Sequence, residues 1–382
     1  MKRWIVVCIG LAWVLFCPLF TARADTDAES RQPADIYAEQ YDASGADQLE
    51  EALPEETREW LESWGLDPSD PASASGLSVG NAWEMIKSFV TEGGQKPLAA
   101  SAAAAAVILL CALFSGAGSG LRGQEMEGTF SYVSTLAVGG IVLRPMLTAI
   151  TGTISAIQGC SVFMLAFVPV YAAILISAGK PLTAAGFQPL LLGASQVVGQ
   201  AAAFILTPLT GVYLSVSMAS AVAPGLKTEG LCEGVRKAAT WILSLAMTLF
   251  TGLLGIQTAI QGSADSLAMK TSRFLAGTFV PVVGASVSEA LGTVQSCLGV
   301  LKSTVGIYAV AALACLLLPV LLELCIWRLA LYVLSSLCDL FGLGAAAAFL
   351  RAVSGAAGLL TAICLCVGLL FIISAAVVAL AG

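Results

Sequence analysis

Long apolar segments separated by short polar stretches dominate the chain from Pro97 onward. A segment of about 20 apolar residues predicts one membrane-spanning helix. The spans predicted in this way cover residues 97–118, 131–150, 161–179, 239–256 and 356–382. The stretch 189–224 would measure about 54 Å as one helix, far beyond the hydrocarbon core, so we predict two segments broken near Pro208.

Proline and glycine interrupt several of these segments. The candidates for helix breaks, pore lining or close packing are Pro169, Pro208, Pro281, Gly284 and Pro319. A proline inside a helix removes one backbone hydrogen bond, and in a membrane the freed carbonyl needs another partner. The pattern predicts broken helices packed around the membrane midplane, and ordinary kinked spans are the alternative.

Short motifs recur in the same order along the membrane region. The sequence FVPV occupies residues 167–170 and again 279–282, and AIQG occupies 156–159 and again 259–262. We therefore predict a tandem duplication. Its two repeats cover residues 130–237 and 238–351, preceded by a first span and loop at 97–129 and followed by a C-terminal span at 352–382.

The first 24 residues read as a signal peptide. A basic start precedes an apolar stretch, and Ala22-Arg23-Ala24 before Asp25 is the small-x-small pattern that signal peptidase cuts. The predicted cleavage lies between Ala24 and Asp25. An uncleaved anchor is the alternative, and either one places residues 25–96 outside the cytoplasm.

The predicted exported segment, residues 25–96, is acidic, with 17 acidic and 4 basic residues. Residues 25–52 show little periodicity and predict a disordered or loosely held leader. Short amphipathic helices are predicted around 54–66 and 77–90, where tryptophans and aliphatic residues share a face. These helices either lie on the membrane or a partner, or pack against the chain's own loops.

The composition excludes several function classes. The chain is 58% hydrophobic and 11% charged, which is typical of a membrane protein. It has no histidine, so Ser-His-Asp sites, zinc motifs based on histidine and histidine-ligated haem are ruled out. No phosphate-binding GxxxxGK[ST] loop is present, and the scattered basic residues argue against nucleic acid. We predict no cofactor, no metal and no catalytic residues.

Polar side chains within the apolar segments are the candidate functional residues. They are Arg144, Gln196, Gln200, Glu289, Glu323, Arg328 and Asp339. Intramembrane charges usually face protein or water rather than lipid, so these residues are candidate pore-lining or coupling groups. Snorkelling side chains, interhelical ion pairs and interhelical hydrogen bonds are the alternative.

Basic residues in the loops predict the orientation. If each repeat has four membrane segments, then Lys180, the loop 227–237, Lys302 and Arg351 all fall on the cytoplasmic side, opposite residues 25–96. With three segments per repeat, the two halves would instead be inverted relative to one another. The charge pattern favours the parallel, four-segment arrangement.

The membrane region resembles a known family. The stretch FLAGTFVPVVGASVSEALGTV at 274–294, the KSTVG at 302–306 and the apolar LLLPVLLEL run are similar to the stage III sporulation protein AE family of endospore-forming bacteria. The signal and the acidic exported segment agree with this resemblance. The fold class expected is an all-α polytopic membrane protein with tandem-repeated, proline- and glycine-broken helices after a short exported acidic segment.

The resemblance implies membership of the mother cell–forespore channel complex, which is needed for late forespore gene expression. The implied location is the mother-cell-derived outer forespore membrane, with residues 25–96 in the intermembrane space. The implied partners are a secretion-type ATPase, ring-forming proteins and a forespore-side partner, together with the lipid bilayer. An autonomous secondary transporter or ion permease is the alternative function, and no enzymatic activity is expected.

Overall fold

The computed structural model describes residues 33–73, 87, 94–118, 124–222, 229–279 and 284–381. Its regular secondary structure in these ranges is entirely helical, which confirms the all-α class. The helices are α1 Pro33–Ser44, α2 Gln48–Glu51, α3 Glu55–Ser63, α4 Gln95–Gly118, α5 Gln124–Ser177, α6 Pro181–Ala201, α7 Thr207–Val222, α8 Glu229–Phe279, α9 Gly284–Leu340 and α10 Gly344–Ala381. The predicted cleavage site Ala24/Asp25, Pro281 and most of the helix predicted at 77–90 lie outside the described residues.

Within the described part, six apolar helical stretches are long enough to cross a membrane. They cover Pro97–Phe114, Tyr132–Ser177, Pro181–Ser220, Gly230–Ile256, Gln295–Leu340 and Gly344–Val377. The prediction of separate spans at 131–150 and 161–179 is wrong, because both belong to the single helix α5. Each predicted repeat therefore contributes fewer and longer helices than four segments. The repeat boundaries at 130–237 and 238–351 stay a prediction.

The predicted break near Pro208 is a π-helical turn rather than a reversal of the chain. The turn covers Ala202–Leu206 and joins α6 to α7, and its flanking residues keep right-handed helical dihedrals. The backbone N–H and the hydroxyl of Thr207 both donate to the carbonyl of Ala202, the hydroxyl at 2.7 Å. One extra residue in the turn accommodates the proline that follows, so the helix continues.

Pro169 and Pro319 lie inside continuous helices, α5 and α9, so the prediction of broken helices at these two positions is wrong. A single proline removes one N–H donor, and the neighbouring turns on both sides keep their own bonds. Packing of the long helices against one another holds the segments on either side in line. Gly284 is the first residue of α9, next to the segment 280–283 that lies outside the described residues.

Glycines set the register between the long helices. In the hairpin of α9 and α10, Gly306 lies against Ala379, Gly368 against Leu317, and Gly358 against Arg328. These pairs run in opposite directions along the two helices, so α9 and α10 are antiparallel. A missing side chain at each position lets the helix backbones approach closely, as is common between membrane helices.

Two glycines tie α5 to its neighbours in the same way. Gly139 contacts Met218 and Phe349, while Ser161 contacts Gly199, which also lies against Phe371. The partner on α10 advances from Phe349 to Phe371 as α5 advances from Gly139 to Ser161, so α5 and α10 are parallel. The partners on α6 and α7 move in the opposite direction, so these helices are antiparallel to α5.

The N-terminal residues 33–73, which we call the cap, pack on one end of this bundle. Tyr37, Tyr41, Leu49 and Leu61 are buried in a hydrophobic cluster that also contains Val305 of α9. The prediction of a loosely held leader is therefore wrong for residues 33–52. Their apolar side chains are too sparse to show a local pattern, and their burial depends on surfaces of α5 and α9 that are distant in sequence.

Tyr37 links the cap to the bundle. Its hydroxyl donates to the carbonyl of Pro68 at 2.8 Å, and its side chain also hydrogen-bonds to Thr304 of α9. Burial raises the pKa of Tyr37 to about 12, with a smaller contribution from Asp70 and with Thr304 acting in the opposite direction. The phenol therefore stays neutral over the whole physiological pH range.

Lys180 and Lys302 lie at the cap end of the bundle. Lys302 is close enough to Lys180 for their charges to interact, and it precedes the cap-bound Thr304 by two residues. The prediction that both lysines lie on the side opposite residues 25–96 is wrong. The physical reason is the continuity of α5. Because this part of the chain forms one helix instead of two spans, it crosses the bundle once rather than twice, and the residues that follow emerge at the other end.

Substitution of Gly306 by alanine is predicted to destabilise the α9–α10 hairpin. A Cβ atom at Gly306 would lie 2.7 Å from the Cβ atom of Ala379, whereas Gly299 on the same helix has open space around it. Overpacking of this kind costs about 1–3 kcal/mol. We expect Gly306→Ala to lower the midpoint of thermal unfolding in detergent, with Gly299→Ala as the matched control. Equal midpoints for the two variants would contradict the register described above.

Truncation of Leu49 is predicted to loosen the cap. Leu49 is fully buried, and Glu51, two residues on, is exposed. Removing a buried leucine side chain costs about 2–5 kcal/mol, which is enough to undock a small subdomain. We expect Leu49→Ala to speed up proteolytic cleavage within residues 33–73, and Glu51→Ala to leave it unchanged. If both variants are cut at the wild-type rate, the cap does not depend on this contact.

The contribution of Tyr37 to docking of the cap is predicted to be constant up to about pH 10 and to fall above it. The folded pKa of Tyr37, about 12, exceeds that of a free tyrosine. The stabilisation is therefore fully present below the unfolded value and is lost as the pH rises toward the folded one. Tyrosinate absorbance, titrated in the wild type and in Tyr37→Phe, is expected to differ by one group ionising near pH 12. A difference centred near pH 10 would show that Tyr37 is not buried.

Candidate functional site

Basic side chains gather at the end of the bundle opposite the cap. Arg144 of α5, Arg236 and Lys237 of α8 and Arg351 of α10 are all exposed there. We call these four residues the girdle. They come from three helices that are far apart in sequence, so the bundle brings together positions that the sequence treats separately.

Contacts between the helices fix the depth of the girdle. Gly139 lies against Met218 and Phe349, and Ser217 Oγ is 3.6 Å from Cys232 Sγ. On its own helix, each girdle residue comes two to five residues after the residue that makes one of these contacts. This separation corresponds to about 3–8 Å of helix rise. The girdle therefore occupies one narrow layer across α5, α8 and α10.

Two girdle residues form ion pairs with exposed carboxylates. The Lys237 Nζ atom is 2.9 Å from Glu233 Oε1, and Arg351 Nη2 is 2.7 Å from Asp339 Oδ1. Exposed pairs of this type contribute little to stability. A layer of basic residues at one depth matches the border between the hydrocarbon core and the headgroups, where arginine and lysine are preferred on the cytoplasmic side.

A row of polar residues on α5 starts in this layer and runs toward the cap. Gly140, Arg144, Thr148, Thr151, Ser155 and Gln158 are all exposed and follow one another at spacings of three or four residues. Such spacing places them on one face of the helix. We call these six residues the polar row. From Arg144 to Gln158 the row rises about 21 Å.

Apolar residues border the polar row. Leu136 lies on the girdle side, and Val162 and Leu165 follow beyond Gln158, all of them exposed. Two hydroxyls of the row bond to their own helix: Thr148 Oγ1 donates to the carbonyl of Arg144 at 3.3 Å, and Thr151 Oγ1 donates to that of Thr148 at 2.8 Å. The row is thus a polar strip on an otherwise apolar surface, and the exposed Leu147 interrupts it between Arg144 and Thr151.

Gln196 of α6 adds a polar group near the deep end of the row. Its Nε2 atom donates to the carbonyl of Ser161 at 3.4 Å, three residues beyond Gln158. Gln196 therefore joins α5 to α6 through an interhelical hydrogen bond, which was the alternative to a pore-lining role. Gln200, one turn further along α6, is exposed.

The remaining sequence candidates lie at separate places in the bundle. The guanidinium of Arg328 lies over Gly358 of α10, about 3.5 Å from where a Cβ atom would be. Asp339 pairs with Arg351 across the tight turn between α9 and α10, in which Gly342 has a φ of 75°. Glu323 is half-buried in α9, and Glu289 lies near the start of that helix. The structure does not bring these four residues into one site.

The described residues contain no group of three or more His, Cys, Asp or Glu side chains placed to hold a metal ion. The polar groups that do converge are the girdle and the polar row, which are basic or neutral. Such groups can hydrate a surface, bind anions and position a protein in a bilayer.

The sequence pointed to Arg144, and to Gln158 within the repeated AIQG motif, but the hydroxyl residues of the polar row between them were missed. The threonines and the serine did not stand out in the sequence because hydroxyl residues are common in membrane helices. Their spacing of three and four residues was the available signal, and it is clear only once residues 131–179 are treated as one helix. For the girdle, the charge pattern correctly grouped the loop 227–237 and Arg351 at the end opposite the cap. It did not place Arg144 in the same layer, since that depth depends on contacts between helices.

Comparison with known proteins identifies the family. The stage III sporulation protein AE family matches residues 74–382. A stage III sporulation protein AE of Bacillus subtilis (strain 168) is 32% identical over 176 residues, which are 46% of this chain and 44% of that protein. The chain thus aligns with less than half the length of this curated relative. No solved structure matches the chain. The chain belongs to the stage III sporulation protein AE family, and it is a multi-pass, all-helical membrane protein.

Proposed function

We propose that this protein is a membrane component of the channel complex between mother cell and forespore, with a structural rather than an enzymatic role. The family match over residues 74–382 is the observation that carries the proposal. The six apolar stretches support it, because a subunit of a membrane channel must itself cross the bilayer. The proposed partners are a secretion-type ATPase, ring-forming proteins and a forespore-side protein.

The proposed location is the outer forespore membrane, with the cap in the intermembrane space and the girdle toward the mother-cell cytoplasm. Three features support this orientation. The cap follows a segment that reads as a signal peptide. The girdle, with its surplus of arginine and lysine, lies at the opposite end of the bundle. About 50 Å of α5 separates Arg144 from Ser177, which matches a bilayer of about 40–45 Å with its headgroups when the helix is tilted.

A structural role suits the way in which the charges are arranged. Transporters that couple ions usually carry acidic residues near the membrane midplane. Asp339 is already paired at the girdle end with Arg351, and Glu323, near the middle of α9, has no acidic counterpart in the first predicted repeat. The mid-membrane groups of the polar row carry no carboxylate. The cap instead offers a folded, acidic surface outside the bilayer on which partner proteins can assemble.

Deletion of the gene in its native host is predicted to block sporulation after engulfment. We expect small forespores and a silent late forespore reporter, both restored by the wild-type gene. Glu289→Gln is expected to restore them as well, because a structural subunit does not need an ionisable group at this position. Microscopy and the reporter, followed in the same cells, give the readout.

Two results would contradict the proposal in different ways. Normal spores from the deletion strain would show that the protein is not needed for the channel complex. A stable but inactive Glu289→Gln protein would point to ion coupling, and would favour a secondary transporter over a structural subunit. Copurification of the secretion-type ATPase with the tagged full-length protein, compared with an unrelated membrane protein of the same host, tests the proposed partnership directly.

A further inference from the structure

The polar row lies at a depth that lipid surrounds. Helix α4 shows this, because its Ala104 and Ile108 pack in one hydrophobic cluster with Val142 and Met146 of α5. On its other side α4 exposes Leu98, Leu109 and Leu110. A helix that exposes leucines in this way is solvated by hydrocarbon. The part of the polar row around Arg144 and Thr148 therefore lies in the same layer of the membrane as α4.

Lipid is a poor environment for two members of the row. The guanidinium of Arg144 can reach the headgroups from its place in the girdle, because long basic side chains snorkel. Gln158 has no such route, since it lies about 21 Å deeper and its side chain is short. A primary amide that faces hydrocarbon without a partner costs several kcal/mol. Among the described residues, the structure gives the exposed Gln158 amide no partner.

The hydroxyls between these two residues extend the polar surface from Arg144 to Gln158. Thr148 and Thr151 satisfy their donors within the helix, and their oxygen atoms remain exposed as acceptors. Ser155 fills the step between Thr151 and Gln158. At the deep end Gln196 contributes a further amide from α6. From Arg144 to Gln158 the exposed residues of this face are polar except Leu147, and the strip is open at the girdle, as a wall that borders water would be.

We propose that the polar row is the wall of a water-filled path that enters the membrane from the girdle side and reaches Gln158, with Arg144 at its mouth favouring anions. This inference rests on the proposed function, because the row lies on the outer surface of the bundle and the opposite wall is supplied within the assembled complex. Water solvates the exposed amide and hydroxyls, and the arginine charge attracts negative solutes. The path takes small hydrated anions and the acidic parts of larger solutes.

Thiol-reactive probes test this path. Thr151→Cys places a thiol in the middle of the row, and Leu110→Cys places one on the exposed leucine face of α4, closer to the girdle than Thr151, as a control that faces lipid. The exposed native Cys325 is changed to alanine in both proteins. Inverted membrane vesicles from sporulating cells, which expose the girdle side, are treated with two membrane-impermeant methanethiosulfonates. One carries a sulfonate and the other a trimethylammonium group.

We expect both reagents to modify Thr151→Cys and neither to modify Leu110→Cys. Thr151 lies about 10 Å from Arg144 along the helix, so the sulfonate is favoured over the cation by about fourfold in a water-filled path. This preference, corrected for the reactivity of each reagent with a free thiol, is expected to disappear when Arg144→Gln is added. The sulfonate rate then falls and the cation rate rises.

Several results would overturn the inference. An unreactive Thr151→Cys, in a strain that still makes spores, shows that lipid or protein covers the row. Equal modification of Thr151→Cys and Leu110→Cys shows that the reagents do not distinguish the row from the lipid face. If the preference for the sulfonate reagent is unchanged in Arg144→Gln, then Arg144 does not lie at the mouth of the path. The labelling is read separately from the forespore reporter, so failure of the path and failure of the channel role are distinguishable.

Discussion

Close approach of helix backbones at glycines is the interaction on which the rest of this structure depends. Hydrocarbon is as apolar as the helices themselves, so burial of apolar area does not hold membrane helices together as it does in water. Contact at short distance does, and Gly139, Gly199, Gly306 and Gly368 supply it between α5, α6, α9 and α10. Because each contact pairs one residue with one neighbour, the glycines also fix how far each helix is shifted along the next.

That register decides where the charges and polar groups fall. Shifting α10 by one turn against α5 would move Arg351 about 5 Å relative to Arg144, and the girdle would no longer occupy one layer. The same register places Lys180 and Lys302 beside the cap at the other end of the bundle. Two polar ends and a long apolar middle follow from it, and the polar row crosses part of that middle.

The sequence predicts the helical, polytopic character of the protein because apolar length and composition are local properties. It also predicts the helix at Glu55–Ser63 and the irregularity before Pro208.

Prediction from the sequence fails where local signals compete with packing between helices. Pro145 and Pro169 suggest breaks, yet α5 continues through both, and this one error reversed the side assigned to Lys180. The docking of the cap was missed since the cluster that buries Tyr37 and Leu49 includes helices more than a hundred residues away. Arg144 was predictable as an isolated charge, whereas the girdle and the polar row required the three-dimensional register.

The most direct test of this account is the side of the membrane on which Lys180 emerges. Cysteines at Lys180, at Glu51 in the cap and at Phe341 in the turn between α9 and α10 would be labelled in intact cells and in inverted vesicles with an impermeant maleimide. The account predicts that Lys180→Cys and Glu51→Cys are labelled from the same side and Phe341→Cys only from the other. Labelling of Lys180→Cys together with Phe341→Cys would contradict it, because α5 would then have to turn back within the membrane.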